Sequence, residues 1–391
     1  MGTMADVTQE QILTALAQVQ DPEIRRPITE LGMVDAVTID DSTVTVRLLL
    51  TVEGCPLKDT LNRDITAAVG TVTSDHAVVV EMGVMTEEQR KAMREYLRGN
   101  RAEAEIPFTK PGSLTRVYAV ASGKGGVGKS SLTVNLATAM ALRGLKVGII
   151  DADIYGHSIP DMFGLGDQRP TQVDDMIMPV PAIVGDDEKA TPAIKVMSMG
   201  MLKPRREQVI AWRGPMLDRA LVQMLSDVFW GDLDALFLDL PPGTGDMAIS
   251  LGQHLPNAEF IVVTTPQQAA AQVAERSGTM ASMMHQRVVG VVENMSHLVL
   301  PDGTKMEIFG SGGGETVATG LTQRLGYDVK LLAQVPLEET MREGGDSGKP
   351  IVISNPDSPA AKAIQAVADG LSGRSRGLAG MQLGLAPAGR L

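Results

Sequence analysis

The chain has little cysteine and few aromatic residues, and these shortages exclude several classes of protein. Cys55 is the only cysteine among 391 residues, so an intrachain disulfide and a four-cysteine metal site are both excluded. This cysteine usage is typical of the reducing cytosol. Aromatic residues make up 3% of the chain, too few to predict stacking platforms for single-stranded nucleic acid.

Positive charge and long apolar runs are also scarce. The chain has 35 basic and 47 acidic residues and a formal net charge of −12, which argues against binding nucleic acid by charge. No apolar stretch approaches the roughly 20 residues that a membrane helix needs. The acidic, polar start is unlike a secretion signal. The sequence therefore predicts a soluble, cytoplasmic protein that binds neither nucleic acid nor membrane.

The chain is long and apolar enough for more than one folded domain. Hydrophobic residues form 43% of it, and 391 residues predict two or three domains. Residues 1–85, with thirteen acidic and five basic side chains, predict a small α+β domain. Residues 86–112 predict a charged helix and a linker. Residues 113–372 predict an α/β domain, and residues 373–391, rich in Gly, Ala and Leu, predict a disordered tail.

Apolar periodicity predicts the elements of both domains. In the small domain we expect helices over 9–18 and 56–69, a hairpin over 37–52 and a strand over 77–82. In the larger domain, a helix over 130–142 and mostly apolar strands alternate, which predicts a doubly wound, mostly parallel α/β sheet. The predicted strands are 117–121, 147–150, 235–240, 260–264, 288–292 and 331–335.

A glycine-rich segment follows the first of these strands and begins the predicted helix. It fits the phosphate-loop pattern G-x-x-x-x-G-K-[ST] in the strand–helix context that the pattern requires. Small residues let backbone N–H groups and the positive helix end face phosphates. We expect Lys129 to reach the β- and γ-phosphates of ATP and Ser130 to bind Mg²⁺. The predicted nucleotide contacts here are Gly123, Lys124, Gly125, Gly126, Val127, Gly128, Lys129, Ser130 and Ser131.

Acidic residues stand at the ends of two predicted strands. Asp151 and Asp153 follow one strand, and Asp239 ends another, ahead of a PPGTG turn that leads to Asp246. Acids in these places hold Mg²⁺, usually through water, and orient the water that attacks the phosphate. The sequence predicts these roles for Asp151, Asp153 and Asp239. Helix capping or a solvated strand end is the alternative for each of them, and it weighs most for Asp151 and Asp246.

The motifs together resemble the Mrp/ApbC family of MinD-like P-loop ATPases, which carry a deviant Walker A motif. The resemblance spans about residues 114–372 and rests on four segments, 124–130 (KGGVGKS), 151–158 (DADIYGHS), 239–246 (DLPPGTGD) and 293–296 (ENMS). The segment 21–57 resembles the small domain that often precedes this ATPase and that also occurs in cytosolic iron–sulfur assembly factors.

The resemblance implies roles for further residues. Lys124 is the signature lysine, which reaches the nucleotide of the other subunit in a face-to-face homodimer and makes a catalytic set with Lys129, Asp153 and Asp239. Asn294 is expected to hydrogen-bond the adenine edge, with Pro336 packed nearby. The family implies a Mg²⁺-dependent ATPase that binds iron–sulfur clusters and delivers them to apoprotein clients or works with other assembly proteins.

One part of the family pattern is missing. Members commonly bridge a cluster between subunits with a Cys-x-x-Cys pair, whose place in this chain lies between residues 296 and 308. Leu300 and Gly303 stand where the two thiols are expected, and neither side chain has a donor atom. Residues 301–303 (PDG) instead predict a tight turn between two short strands.

Cys55 is the remaining thiol that could contact an iron–sulfur cluster. It precedes Pro56 at the start of a predicted helix, where a thiol can shift toward thiolate. The alternative is a partly buried cysteine that acts as a small hydrophobe, and for cluster binding by the chain alone we favour that alternative.

Two functions stay open after the sequence is considered. The first is an ATP-hydrolysing iron–sulfur cluster carrier that acts as a nucleotide-switched dimer. The second is a nucleotide-switched interaction ATPase that binds no cluster itself, which explains the missing Cys-x-x-Cys pair. Positioning on DNA or membrane is disfavoured by the net charge and by the glycines of the tail. A reductase like the nitrogenase iron protein needs two thiols per subunit, so Cys55 alone excludes it.

Overall fold

The structure is a computed structural model of the chain. It describes residues 7–22, 24, 26–51, 58–73, 75–86, 88–89, 92–93, 96, 105–154, 156–173, 176–185, 193–203 and 214–373. The chain divides into two units, residues 1–105 with 171–178, and residues 106–170 with 179–391. Cys55, most of the charged helix predicted after residue 86, and the tail from residue 374 lie outside the described residues.

The N-terminal region forms two helices and a three-stranded sheet. Strands β1 and β2 pair antiparallel and close a two-residue turn where Asp40 pairs with Thr43, while β3 runs parallel to β2. Thr8 and Gln11 form a capping box that starts the first helix. The helices, the hairpin and the last strand of the sequence prediction are confirmed. The elements are α1 (Gln9–Leu16), β1 (Val34–Asp40), β2 (Thr43–Leu50), α2 (Lys58–Gly70) and β3 (Ala77–Val84).

Strands of the larger unit form one mixed, mostly parallel sheet. They are β4 (Arg116–Ser122), β5 (Val147–Asp151), β8 (Val180–Ile183), β9 (Ala193–Ser198), β10 (Ala235–Asp239), β11 (Glu259–Thr264), β12 (Arg287–Val299), β13 (Lys305–Met306) and β14 (Lys330–Leu337). A separate antiparallel pair, which belongs to the unit that contains residues 1–105, consists of β6 (Thr171–Val173) and β7 (Met176–Met178).

Helices alternate with these strands along the chain. They are α3 (Lys129–Leu142), α4 (Ile159–Met162), α5 (Gly214–Ser226), α6 (Asp246–His254), α7 (Gln268–Met283), α8 (Gly313–Leu325), α9 (Glu339–Asp346), α10 (Ile351–Ser354) and α11 (Pro359–Ser372). Single 3₁₀ turns occur at Pro107–Thr109 and Met199–Leu202. None of the helices in the described ranges is long and apolar enough to cross a bilayer.

The strand order is β13-β12-β11-β4-β10-β5-β9-β8, and β14 also pairs with β12. Within this described sheet, β8 and β13 are antiparallel to their neighbours and all other pairings are parallel. This confirms the doubly wound, mostly parallel α/β fold that the sequence predicts. Most of the predicted strands were nearly correct in their bounds, but β12 runs seven residues beyond its predicted end at 292.

The core places the start of α3 at the carboxyl edge of the sheet. Helix α3 is apolar on nearly all sides and is buried over most of its length, between the sheet and the helices α10 and α11. A helix buried all round cannot tilt freely, so its first turn is held beside the ends of β4 and β10. Parallel strands end at one edge, and the register places Asp239 of β10 beside both Val120 of β4 and Asp151 of β5.

Candidate functional site

The phosphate loop has the backbone that its sequence predicts. Gly126 and Gly128 adopt left-handed conformations, with φ of +77° and +76°. No described residue accepts a hydrogen bond from the N–H groups of residues 125–131, and no side chain caps α3. Space is open around Gly126. The loop therefore presents a run of free backbone donors at the positive end of a helix, which is the chemistry of a phosphate site.

Lys129 and Ser130 both bond the carboxylate of Asp239. The Lys129 ammonium lies 2.7 Å from Asp239 Oδ2, and the Ser130 hydroxyl donates to the same oxygen at 2.6 Å. Asp239 is fully buried and the Lys129 side chain is 6% exposed, so the two charges balance each other inside the protein. The structure thus brings together three residues that the sequence analysis placed at the nucleotide.

Thr133 is a member of this group that the sequence analysis missed. Its hydroxyl donates to the second carboxylate oxygen, Asp239 Oδ1, at 2.9 Å, and it is fully buried. Thr133 stands one helical turn after Lys129, so the spacing i, i+4 on α3 was the signal that could have found it. With Lys129, Ser130 and Thr133 around it, the Asp239 carboxylate is fixed in direction.

Asp151 is a second buried acid beside Asp239. Its carboxylate accepts hydrogen bonds from the Ser198 hydroxyl at 3.0 Å and from the backbone N–H of Asp153 at 3.2 Å. Burial raises the pKa of the Asp151 carboxyl well above its usual range, and the neighbouring Asp239 carboxylate raises it further. Ser198, from β9, is another contact that the sequence analysis missed.

Asp153 lies just beyond this pair. Its Oδ1 accepts the backbone N–H of Gly156 at 3.0 Å, which closes a tight turn after β5. The side chain is 9% exposed, so it lies at the rim of the buried acids. Asp246 is exposed in the first turn of α6, whose N-cap is Gly245, and no described side chain caps that helix.

The acids and the serine fit a magnesium ion that is shared with a nucleotide. Mg²⁺ in such sites is held through one or two carboxylates together with substrate phosphates, and Asp239, Asp151 and Ser130 supply oxygen donors at one edge of the sheet. Within the described part of the chain, no three His, Cys, Asp or Glu side chains gather as a site that could hold a metal without such a substrate.

Lys124 lies at the start of the loop and reaches away from it. Its ammonium donates to Gln267 Oε1 at 2.7 Å, on the residue that precedes α7. The Ser122 hydroxyl donates to the Lys124 carbonyl at 3.1 Å and fixes the backbone there. Gln267 was not found from the sequence, because 143 residues separate it from Lys124.

Asn294 and Pro336 lie on the neighbouring strands. The Asn294 side chain is 3% exposed, and its Nδ2 donates to the carbonyl of Val127 at 2.9 Å. In the register of β12 and β14, Asn294 is opposite Val335, so the buried Pro336 is adjacent to it. The Asn294 amide thus contacts the phosphate loop itself, and its contact with the adenine edge stays a prediction.

The place of the missing Cys-x-x-Cys pair is a tight turn between β12 and β13. The Gly303 N–H donates to the Leu300 carbonyl at 2.8 Å, and the Leu300 N–H donates to the Thr304 carbonyl at 2.9 Å. Gly303 has a φ of +84°, and Asp302 accepts the Thr304 N–H at 2.9 Å. The predicted turn is confirmed, and its backbone leaves glycine as the favoured residue at 303.

Comparisons with known proteins match both parts of the chain. A family model described as NUBPL iron-transfer P-loop NTPase matches residues 113–372, and one described as iron-sulfur cluster assembly protein matches residues 9–82. The iron-sulfur cluster carrier protein of Mycobacterium tuberculosis is 56% identical over 390 residues and all of both chains. The protein of the same name from Synechocystis is 39% identical and covers 94% of this chain and 98% of its own.

A solved structure supports the nucleotide site. The nucleotide-binding protein of Archaeoglobus fulgidus, in complex with ADP, is 31% identical with a TM-score of 0.53, and it covers 66% of this chain and 96% of its own. The family resemblance that the motifs suggested is confirmed by these matches. With one family model over most of the chain and a relative more than half identical along all of it, this chain belongs to the NUBPL iron-transfer P-loop NTPase family.

Proposed function

We propose that the chain is a Mg²⁺-dependent ATPase that carries iron–sulfur clusters to apoproteins as a nucleotide-switched homodimer. The observation that carries the ATPase part is the joint hold of Lys129 and Ser130 on Asp239, next to free backbone donors at the start of α3. The cargo is inferred from relatives named iron-sulfur cluster carrier proteins.

Each part of the loop has a task in binding ATP. The free N–H groups of residues 125–131 bind phosphate oxygens, and Lys129 exchanges its partner Asp239 for the β- and γ-phosphates. Ser130 and Asp239, with Asp151 behind them, would hold Mg²⁺. A bound Mg²⁺ neutralises phosphate charge and so lowers the barrier for transfer.

Hydrolysis needs an oriented water and positive charge on the γ-phosphate. Water attacks the γ-phosphorus while the bond between that phosphorus and the leaving ADP oxygen breaks, which gives ADP and phosphate. The Asp153 carboxylate, which accepts the Gly156 N–H, would orient that water. Lys124 of each subunit would supply charge to the nucleotide of the other subunit, after leaving Gln267.

The cluster would be held by thiols from both subunits. Because the turn at Leu300 and Gly303 lacks thiols, Cys55 is the one thiol that each chain can contribute. A dimer would supply two thiolates, so an [2Fe–2S] or [4Fe–4S] cluster would need additional ligands from a client or a small thiol. A cluster held by only two thiolates of the dimer suits transfer to a client that supplies the remaining ligands.

A second function is favoured by the same turn. If the cluster is not bound by this chain, ATP would close the dimer and the N-terminal domain would recruit a client protein. The well-formed turn of residues 300–304, with no thiol, favours this interaction ATPase.

Anaerobic reconstitution of the full chain with iron and sulfide tests the proposal. The carrier function predicts retained iron, charge-transfer absorbance, and loss of both in Cys55→Ser, while the ATPase rate of Cys55→Ser equals that of the wild type. Transfer to an apoprotein should depend on ATP and stop in Lys129→Met. An ATPase that retains no iron would rule out the carrier function and support the interaction ATPase.

A further inference from the structure

Asn294 touches the phosphate loop through the protein backbone. From the middle of β12 its side chain reaches Val127, whose carbonyl accepts the Asn294 Nδ2–H at 2.9 Å. Both residues are almost completely buried, at 3% and 2% exposed. A buried hydrogen bond has little competition from water, so its loss leaves the Val127 carbonyl without a partner.

The contact between Asn294 and the loop is tight. A Cβ atom on Gly128 would lie 2.2 Å from Asn294 Nδ2 and 3.6 Å from the Cε of Met295. Gly128 also has a φ of +76°, which favours glycine. The loop therefore packs Gly128, which has no side chain, directly against the Asn294 amide.

Asn294 is itself held from both sides. The preceding Glu293 is fully buried, and its carboxylate accepts the Gly314 N–H at 2.5 Å and the Gln334 amide at 2.7 Å. The following Met295 has a φ of +56°, which is rare for a residue with a side chain and persists where surrounding structure imposes it. This part of β12 is thus fixed to α8 and β14, and it carries Asn294 with it.

The bond sets the direction of a phosphate donor. The Val127 carbonyl and the Gly128 N–H belong to one planar, trans peptide unit and point in opposite directions. When Asn294 holds the carbonyl toward β12, the Gly128 N–H is turned the other way, into the run of free donors of residues 125–131.

We infer that Asn294 is a positioning residue of the phosphate loop, which fixes the Val127–Gly128 peptide for phosphate binding. This rests on the proposed ATP-binding function and goes beyond a contact with the base. It predicts that Asn294 matters for a ligand that has phosphates and no base.

Inorganic tripolyphosphate is the probe that separates the two roles. The full chain, with Mg²⁺, is titrated with ATP and with tripolyphosphate by calorimetry. We expect Asn294→Leu, which keeps the side chain's shape without its donor, to weaken both ligands by a similar factor, roughly tenfold. Asn294→Asp, which sets a carboxylate oxygen against the Val127 carbonyl, should weaken both by more.

Gln286→Ala is the matched control. Gln286 is also a buried amide, and its Nε2 donates to the Leu255 carbonyl at 2.9 Å, before β12 and at the opposite end of the strand. The Gln286→Ala variant should melt at a lower temperature than the wild type and keep its affinities for ATP and for tripolyphosphate. Melting curves for the Asn294 variants show the folded fraction, so affinities are compared per folded molecule.

Two results would overturn the inference. If Asn294→Leu weakens ATP but leaves tripolyphosphate unchanged, Asn294 acts on the base alone. If both affinities are unchanged, it positions nothing. A wild-type chain that binds neither ligand would instead overturn the proposed ATPase function, and the positioning role would fall with it.

Discussion

The ammonium of Lys124 and Oε1 of Gln267 are joined by a hydrogen bond of 2.7 Å. In this arrangement Lys124 is bound within its own chain, beside the start of α7. If Lys124 acts on the nucleotide of a second subunit, as proposed, we expect this bond to break first, because it holds the ammonium on its own chain. The glutamine therefore competes with the proposed catalytic partner.

Removing the Gln267 side chain should raise the ATPase rate, and removing the Lys124 side chain should lower it. Gln267→Ala frees Lys124 from a partly solvated hydrogen bond, and we expect the ATPase rate to rise roughly two- to fivefold. Lys124→Ala should lower the rate strongly while ATP affinity is largely kept, because the charge acts in the transition state. Steady-state hydrolysis and equilibrium ATP binding, measured on the same preparations, check both expectations.

Gln268→Ala is the control for the glutamine variant, since Gln268 is the next residue and begins α7. It should leave the rate unchanged. A normal ATPase rate in Lys124→Ala would show that the cross-subunit role of Lys124 is wrong, whatever Gln267 does.

Variants of the buried pair of Lys129 and Asp239 distinguish its effect on stability from its effect on ATPase activity. Lys129→Met leaves the Asp239 carboxylate buried without its cation, so we expect a loss of about 3–5 kcal/mol of stability as well as of ATP binding. The double variant Lys129→Met with Asp239→Asn removes both charges. It should recover most of the melting temperature and none of the ATPase activity.

Chemical denaturation and an ATPase assay on the three proteins test this. If the double variant is as unstable as Lys129→Met, the instability of Lys129→Met does not come from an unpaired Asp239 carboxylate. Measurable hydrolysis in either variant would contradict the role of Lys129 at the phosphates.

The sequence predicted the parts of the site that depend on local pattern. Gly123, Lys129 and Ser130 lie within one motif, and Asp151 and Asp239 each directly end an apolar strand, so spacing alone placed them. The parallel fold then brings the two strand ends together, because β5 and β10 are neighbours in register. These residues needed no knowledge of distant contacts.

The partners of these residues could not be found in this way. Thr133 meets Asp239 over 106 residues of sequence and Ser198 meets Asp151 over 47, and both hydroxyls sit among ordinary helix or strand residues. The predicted end of β12 was too early for a related reason. Glu293 and Asn294 interrupt the apolar run, although both are buried and bonded inside the strand.

Thr133 offers a test of one such partner. Thr133→Val keeps the shape of the side chain and removes the hydroxyl that bonds Asp239 Oδ1. A lost hydrogen bond to a buried charge costs about 1.5–3 kcal/mol, and the carboxylate becomes free to turn. We expect lower stability together with a weaker dependence of ATPase activity on Mg²⁺, measured as a several-fold higher Mg²⁺ concentration at half-maximal rate.

Thr138→Val is the matched control on the same helix. Thr138 is equally buried, and its hydroxyl donates to the Val134 carbonyl at 2.7 Å, one turn back. This variant should keep the wild-type Mg²⁺ requirement. Equal behaviour of the two variants would show that Thr133 serves α3 and has no role at Asp239.

Asp151 should make the folded protein less stable at neutral pH than an uncharged residue would. Its pKa is raised by burial and by Asp239, so the folded state holds the proton more tightly than the unfolded chain. Ionising it therefore costs stability as the pH rises from the unfolded pKa toward the folded one. We expect Asp151→Asn to melt ~2–4 °C above the wild type at pH 7.5, equivalent to about 1 kcal/mol for a domain of this size. The gain should disappear below about pH 3, where the carboxyl is protonated in both states.

Melting curves between about pH 3 and pH 8, in EDTA and without nucleotide, measure this difference, and Asp302→Asn is the control. The pKa of Asp302 is lowered by hydrogen bonds from Thr304, so that variant should show no gain at any pH. The ATPase rate of Asp151→Asn should fall although its stability rises, because a site that holds Mg²⁺ keeps a charge that the fold alone disfavours. If Asp151→Asn has the melting temperature of the wild type across the whole pH range, ionising Asp151 does not lower the stability of the folded protein.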